Sequence, residues 1–364
     1  MKRRRQFFLY IFVISRFLLS TLGSSAHADD GVALHGFSDM KFIYDSKDDS
    51  GSFSIGDVDF FLAKPIDKNV NFLIEMAFQP AYDGVSVDLE RSFVQYVVDP
   101  WLKVSVGRFH TSLGYWNDTY HHGGYLQTPI TRPVMERFED SQGLLPAHTT
   151  GIEVRGNGLM DGSNLGYIVN VGNGRGPVKD PPAFYYSYNK THSFSLLLYD
   201  ELPNGIRFGP NFYMSGLPGG FQKDGLGVND PTNPGVSGRE VIYGAHFIYN
   251  SPEVEFLTEY ANIHHDFNNG DADPDGATST NMDTLYTQFG YHFGLFTPYV
   301  RYEVNATDHP DAYLKQLTQT VRYYTAGCRY ELTASSALKF EYVYANYIGG
   351  NHDWNSALDW AFTW

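Results

Sequence analysis

The sequence predicts an all-β chain: a transmembrane antiparallel β-barrel of about sixteen strands. Three observations predict it. Apolar and polar residues alternate with a period of two along much of the chain. Beyond the N-terminus there is no run of 18 or so apolar residues, and mean hydropathy is −0.32, so helical membrane spans are excluded. Connections between the alternating segments are short and long by turns, as they are when strands run to and fro across a bilayer. The cause is physical. In lipid every backbone N–H and C=O must be paired, so a sheet can span only by closing on itself, with apolar side chains facing lipid and polar ones facing water.

Residues 1–28 are predicted to be a cleaved signal peptide, and 29–364 the barrel. Lys2, Arg3, Arg4 and Arg5 form a basic n-region, Phe7 to Leu19 an apolar stretch split by Arg16, and Ala26-His27-Ala28 a small-x-small cleavage site. The clearest strand is Phe296 to Asn305, where Phe296, Pro298, Val300, Tyr302 and Val304 share one face and Thr297, Tyr299, Arg301, Glu303 and Asn305 the other. Val70, Phe72, Ile74, Met76 and Phe78 oppose Asn71, Glu75 and Gln79. Leu285, Phe289 and Tyr291 oppose Tyr286 and Gln288, and Leu338, Phe340 and Tyr342 oppose Lys339 and Glu341. In Val87 to Val97 and Leu317 to Glu331 the faces cannot be assigned. Short connections fall near 64–69, 98–101, 157–163, 201–204, 250–253, 293–296 and 332–336. Long ones fall near 45–51, 79–86, 110–148, 173–191, 214–238, 264–280, 305–316 and 347–353. Strands then come out at about 9–13 residues, against the 9–11 needed to span. An even strand number places both termini on the short-turn side.

Composition narrows the function. Charged residues make up 18%, against roughly 25% in soluble domains. Aromatics make up 16%, and such rings favour membrane interfaces. A net charge of −15 argues against a nucleic-acid partner, which needs Lys and Arg to neutralise phosphates. The single cysteine, Cys328, allows no intramolecular disulfide framework and no Cys-rich metal or haem site. No cofactor is expected.

The last seven residues, Leu358-Asp359-Trp360-Ala361-Phe362-Thr363-Trp364, resemble the C-terminal aromatic signature of outer-membrane barrels, with Trp in place of the common final Phe. Sixteen strands with one long loop between the fifth and sixth resemble the Gram-negative outer-membrane porin superfamily. Gly107-Arg108-Phe109, leading into that loop, is similar to the phosphate-selective porin O/P branch. This resemblance implies a bacterial outer-membrane location among lipid and a passive pore for small hydrophilic solutes or ions. It also implies a third loop folded into the barrel, and a homotrimer.

Loop 110–148 is the longest and unusually apolar for a surface loop, with Leu113, Tyr115, Trp116, Tyr125, Ile130, Val134, Met135 and Leu144 among its residues. It is expected to pack on the lumen wall or a neighbouring subunit. Arg132, Glu136, Arg137, Glu139 and Asp140 are its charged part and the candidate pore constriction, where charge sets selectivity. Alternation puts Glu75, Arg91, Lys103, Glu153, Arg155, Glu255, Glu259, Arg301, Glu303, Lys339 and Glu341 on the lumen face. Asp57, Asp59 and Asp359 join them, so acids outnumber bases and the lumen reads as mildly cation-attracting. The phosphate-porin resemblance implies the opposite preference.

Other candidates are weaker. His121-His122 and His264-His265 are adjacent pairs, whose side chains diverge on an extended chain and suit one metal poorly. Asp271-Ala272-Asp273-Pro274-Asp275-Gly276 begins like a calcium loop, but Met282 stands where the bidentate Glu is needed. No G-x-S-x-G elbow is present. The expected function is a water-filled channel and not an enzyme. A plugged barrel serving as receptor or adhesin, and a barrel lipase or protease, are the alternatives.

Overall fold

The computed structural model of the chain describes residues 31–81, 84–120, 124–137, 143–175, 191–223, 229–268, 277–311, 313–314 and 319–364, the side chains of 81, 218–223 and 229–236 excepted. Among the described residues sixteen strands close into one antiparallel barrel. They begin with β1 (Ala33–Asp45), β2 (Ser50–Asp67), β3 (Val70–Ala81), β4 (Gly84–Asp99) and β5 (Leu102–His110). Beyond the long loop come β6 (His148–Met160), β7 (Ser163–Asn173), β8 (His192–Glu201), β9 (Ile206–Lys223), β10 (Asn229–Asn250) and β11 (Val254–Phe267). The last five are β12 (Ser279–Tyr291), β13 (Phe296–Thr307), β14 (Val321–Thr333), β15 (Ser336–Tyr347) and β16 (His352–Thr363). The segment 1–28, the pair His121-His122 and the calcium-like stretch 271–276 lie outside the described residues.

Each strand pairs with its neighbours in sequence, and β16 returns to β1 in a register running from Phe37↔Thr363 to Asp45↔Asn355. Trp364 finishes the seam, donating its N–H to the Gly36 carbonyl at 3.1 Å and accepting from the Gly36 N–H at 3.2 Å. The closed ladder leaves no edge with unpaired backbone groups, which is what a bilayer demands.

The period-2 faces are those of the sequence. On β13, Phe296, Val300 and Tyr302 are exposed on the outside, while Thr297, Tyr299, Arg301 and Glu303 are buried on the inside. β15 does the same with Leu338, Phe340 and Tyr342 outside, Lys339 and Glu341 inside. The two strands whose faces could not be assigned have reasons. In β4 the pairing to β3 slips between Arg91↔Glu75 and Leu89↔Met76, so Glu90 is an extra residue and the alternation changes phase there. In β14 the pattern is regular but chemically ambiguous: Arg322 and Tyr324 are exposed outside, Tyr323 and Arg329 buried inside.

The seven short connections stand where expected, but the expected lengths need correction. β1 and β2 are joined by only Ser46 to Asp49, and β15 and β16 by Ile348 to Asn351. Only residues 82–83 separate β3 from β4. The predicted loop 214–238 is mostly a paired extension of β9 and β10, so strands run from 9 to 22 residues rather than 9 to 13. Hydrophobic alternation marks only the part of a strand that touches lipid. A ladder continuing into water satisfies its backbone without any such pattern.

Among the described residues the strands form one closed sheet and no packed layer pair. Its apolar core is the long loop against the wall. Leu113, Trp116, Met135, Leu144 and Leu145 cluster with Tyr213, Leu257, Ile263, Met282 and Tyr286. Tyr125 packs with Phe37, Phe61, Ala337 and Ala361, and Val134 with Val321, Tyr323 and Val343. The third loop is therefore folded inward.

Candidate functional site

The long loop enters the lumen through Gly107, whose φ of 143° and whose backbone, too close to the Ser92 carbonyl for any Cβ, admit only glycine. Arg108 next to it turns inward, and its Nε donates to the carbonyls of Leu89 and Glu90 at 2.8 and 3.1 Å. The Gly-Arg pair thus braces the β4 bulge.

A short helix, α1 (Tyr115–Thr119), follows. Its first N–H groups have no partners within the helix. Glu259 on β11 supplies them: Tyr115 N–H donates at 2.5 Å and Trp116 N–H at 2.9 Å, with the Tyr286 hydroxyl a third donor at 2.5 Å. Gly114, at φ 70°, allows this approach, because a Cβ there would lie 2.5 Å from the Glu259 carboxylate.

Wall residues of β11, β13, β14 and β15 hold the loop further along. Thr128 donates its hydroxyl to Glu255 at 2.8 Å. The N–H groups of Ile130 and Thr131 both donate to Glu341 at 3.0 Å, and the Thr131 hydroxyl does so at 2.6 Å. Val134 N–H, opening the 3-10 turn Val134–Glu136, donates to Glu303 at 2.5 Å. Bases take the carbonyls: Lys339 donates to those of Gly124, Gln127 and Pro129, and Arg329 to those of Tyr125 and Gln127. Arg301 donates to the Thr131 carbonyl at 2.9 Å and to Glu303 at 2.7 Å. Wall carboxylates take loop N–H groups and wall cations take loop carbonyls.

Six of the predicted lumen residues, Glu255, Glu259, Arg301, Glu303, Lys339 and Glu341, accordingly lie on the inner face but are buried under the loop rather than open to water. Glu75 is buried in a pair with Arg91, and Glu153 in a two-point pair with Arg155, Nε to Oε1 at 2.8 Å. Lys103 is half-buried and faces Arg155 across the β5–β6 pairing. Within the loop, Arg132 and Arg137 are half-buried, Arg137 lying over the Tyr323 ring at 5.6 Å. Glu136 differs from its expected place at a water-filled constriction: it is buried, with Oε1 lacking a hydrogen-bond partner among the described residues. Burial, reinforced by the charge of Glu259 and only partly opposed by Arg132, pushes its carboxyl well above the usual range. Glu139 and Asp140 lie outside the described residues.

Sequence reading missed Lys41, Asp118, Arg207 and Arg329. Arg329 sat in the strand with ambiguous faces. Asp118 stands in an apolar part of the loop, and Arg207 at the start of β9, where alternation had barely begun. Arg207 lies over the rings of Tyr199 at 4.0 Å and Tyr115 at 5.1 Å.

The adjacent histidines of β11 do diverge. His264 faces outward to Asn281 and Asp266. His265 faces inward, with Asp311 at 2.7 Å on Nδ1 and Glu240 at 3.1 Å on Nε2, and is wholly enclosed. Arg175 closes the chain on Glu240 at 2.7 Å. Burial alone would raise the Asp311 carboxyl, but the charge of His265 and the hydrogen bonds that Asp311 accepts from His265, the Leu314 N–H and Thr280 hold it below its ordinary value. No group of three or more His, Cys, Asp or Glu is placed to hold a metal among the described residues.

No protein-family profile and no curated protein matches the sequence. Solved structures do match the fold. OmpTΔL8, a loop-deleted form of an outer membrane protein of Vibrio cholerae, superposes with a TM-score of 0.64 at 12% identity, over 92% of this chain and 99% of that one. OmpT itself matches in a trimer form as well. An anion-selective porin from Comamonas acidovorans gives 0.63 at 10% identity, over 92% and 99%. The outer membrane channel DcaP of Acinetobacter baumannii gives 0.57 at 15%, over 94% and 99%. The fold shared with these structures is a closed sixteen-stranded barrel of the porin type. The likeness is to porin-like barrels in general and does not single out the phosphate-selective branch.

Proposed function

We propose that the protein is an outer-membrane channel through which small hydrophilic solutes diffuse, narrowed by loop 110–148. The observation that carries this reading is the clamp formed by Glu259, Glu303 and Glu341 on loop N–H groups. A loop pinned along one arc of the wall, from β11 to β15, narrows a barrel at fixed diameter, and a passive filter needs such a fixed aperture. Residence in a bacterial outer membrane after cleavage of residues 1–28 belongs to the same reading, as does assembly as a homotrimer, which the trimeric neighbour supports.

The channel reading is preferred to an enzyme. Among the described residues two His-Asp pairs resemble an acid–base unit: His265 with Asp311 is enclosed and cannot meet a substrate, and His264 with Asp266 faces outward, away from the lumen. Single-channel recording of the refolded protein in a planar bilayer tests the proposal. Steady ohmic openings that enlarge when residues 116–140 are deleted are expected. A folded barrel silent in both forms would instead favour a plugged receptor.

A further inference from the structure

The inner wall sorts its charges by access to water. Three ion pairs of neighbouring inner-face residues stand outside the clamp's own hydrogen bonds, the first beside loop residue Gly124 and the third also facing Asp118: Lys41 with Asp39, Arg91 with Glu75, and Arg155 with Glu153. In each the base is the accessible member, at 26%, 23% and 21% side-chain exposure, against 8%, 1% and 3% for the acids. Glu201 and Glu331 reverse this order, but both sit at or near the short-turn ends of their strands, at the mouth. The acid-rich count of the sequence therefore misleads. Most inner carboxylates are spent on loop N–H groups or buried against arginines.

One place on this basic arc has the form of a binding site. Asp118, near the end of α1, bridges Arg155 and Arg207, with its two carboxylate oxygens 3.4 and 3.5 Å from their Nη2 atoms. Charge-assisted contacts of this type close to about 2.7–2.9 Å when free to do so. Asp118, carried on α1, stands outside that range from both. Lys103 stands beside Arg155 across the strand pairing. Two further groups have no hydrogen-bond partner among the described residues: the Nε of Arg207, and both ring nitrogens of His246, which is almost wholly buried and stacked on Tyr115. The rings of Tyr115 and Tyr199 flank the Arg207 guanidinium and offer a surface to an apolar body.

We propose that Arg155 and Arg207, each also paired with a glutamate of its own (Glu153 and Glu201), form a binding station for small carboxylate-bearing anions, which on their way through the barrel replace Asp118 as the partner the two guanidiniums share. The passage of such anions rests on the channel reading, but the station itself does not. Asp118 already shows a carboxylate in the place, imperfectly seated. A free carboxylate can reach both arginines at full hydrogen-bond distance and lay its organic part on the tyrosine rings.

Benzoate is the probe. Equilibrium dialysis of radiolabelled benzoate against the refolded full barrel reads the site whether or not the barrel conducts. Saturable binding is expected, weakened about tenfold or more in R155Q/R207Q and strengthened in D118N, because a hydrogen bond to a charged group is worth about that factor. R155K/R207K, which keeps the charge but loses the guanidinium fork, should recover only part of it. Binding that is absent, or indifferent to both the arginine pair and Asp118, would overturn the proposal. Inorganic phosphate displacing benzoate at lower concentration than benzoate displaces itself would also overturn it, in favour of an oxyanion site. Bilayer recordings then separate the two readings. Benzoate block of chloride current, absent in R155Q/R207Q, supports both. Arginine-dependent binding in a silent barrel supports the station and overturns the channel.

Discussion

Glu341 on β15 and Thr131 in the long loop meet through two hydrogen bonds, backbone N–H at 3.0 Å and hydroxyl at 2.6 Å, to one carboxylate oxygen. The other oxygen holds the Ile130 N–H and the Tyr299 hydroxyl. One wall side chain thus satisfies four donors in a place closed to water.

Removing that acceptor should loosen the loop. Glu341→Ala leaves buried donors unpaired, at a cost on the order of 3 kcal/mol to loop attachment. The expected outcome is faster trypsin cleavage after Arg137 in the folded barrel, together with noisier current. A cleavage rate equal to that of the parent would mean that Glu341 does not hold the loop.

Loop attachment should also depend on pH through Glu136. Its carboxyl lies well above its ordinary value when the loop is seated, because burial and the neighbouring Glu259 disfavour its charge. A raised acid stabilises the seated loop at low pH, and that contribution is lost as pH rises through the seated-state value. Trypsin cleavage after Arg137 should therefore accelerate with rising pH, more steeply than the enzyme's own profile on an unfolded substrate. Glu136→Gln should flatten the excess. A parent loop insensitive to pH would contradict the geometry.

The opposite sign is expected at the loop that carries Asp311. There the carboxyl is held low, chiefly against burial, by His265. Its contribution is present at neutral pH and lost as pH falls through the lowered value. Amide exchange at Tyr313 and Leu314, whose N–H groups donate to Asp311 at 2.9 and 2.6 Å, should speed up in acid relative to intrinsic rates, and in Asp311→Ala at every pH.

Cysteine labelling checks which charges meet water. In a Cys328→Ala background, Cys at Arg91 and Arg155 should react with a membrane-impermeant thiol reagent, and Cys at Val300 should not. Cys at Glu303 should react only after deletion of residues 116–140, because the loop covers it. Reaction of Glu303→Cys in the intact barrel would place the loop elsewhere.

The sequence by itself determined the closed barrel, its strand number and the inner and outer faces of β3, β12, β13 and β15. Lipid permits no unpaired backbone and no polar outer face, so those constraints are written residue by residue into the alternation. It determined the long apolar loop for the same reason, since Trp116, Met135 and Leu144 need cover. It could not show the Glu90 bulge, where one added residue changes the phase, or the paired extension of β9 and β10, whose residues carry no such alternation. Only the tertiary structure decided what the inner charges do. Alternation assigns Glu259, Glu303 and Glu341 to the lumen alongside Arg91 and Arg155, but whether a lumen charge meets water depends on what lies over it. The loop arrives from more than 100 residues away in sequence, and it covers the acids and bases of one arc while leaving Arg91 and Arg155 on the other partly open.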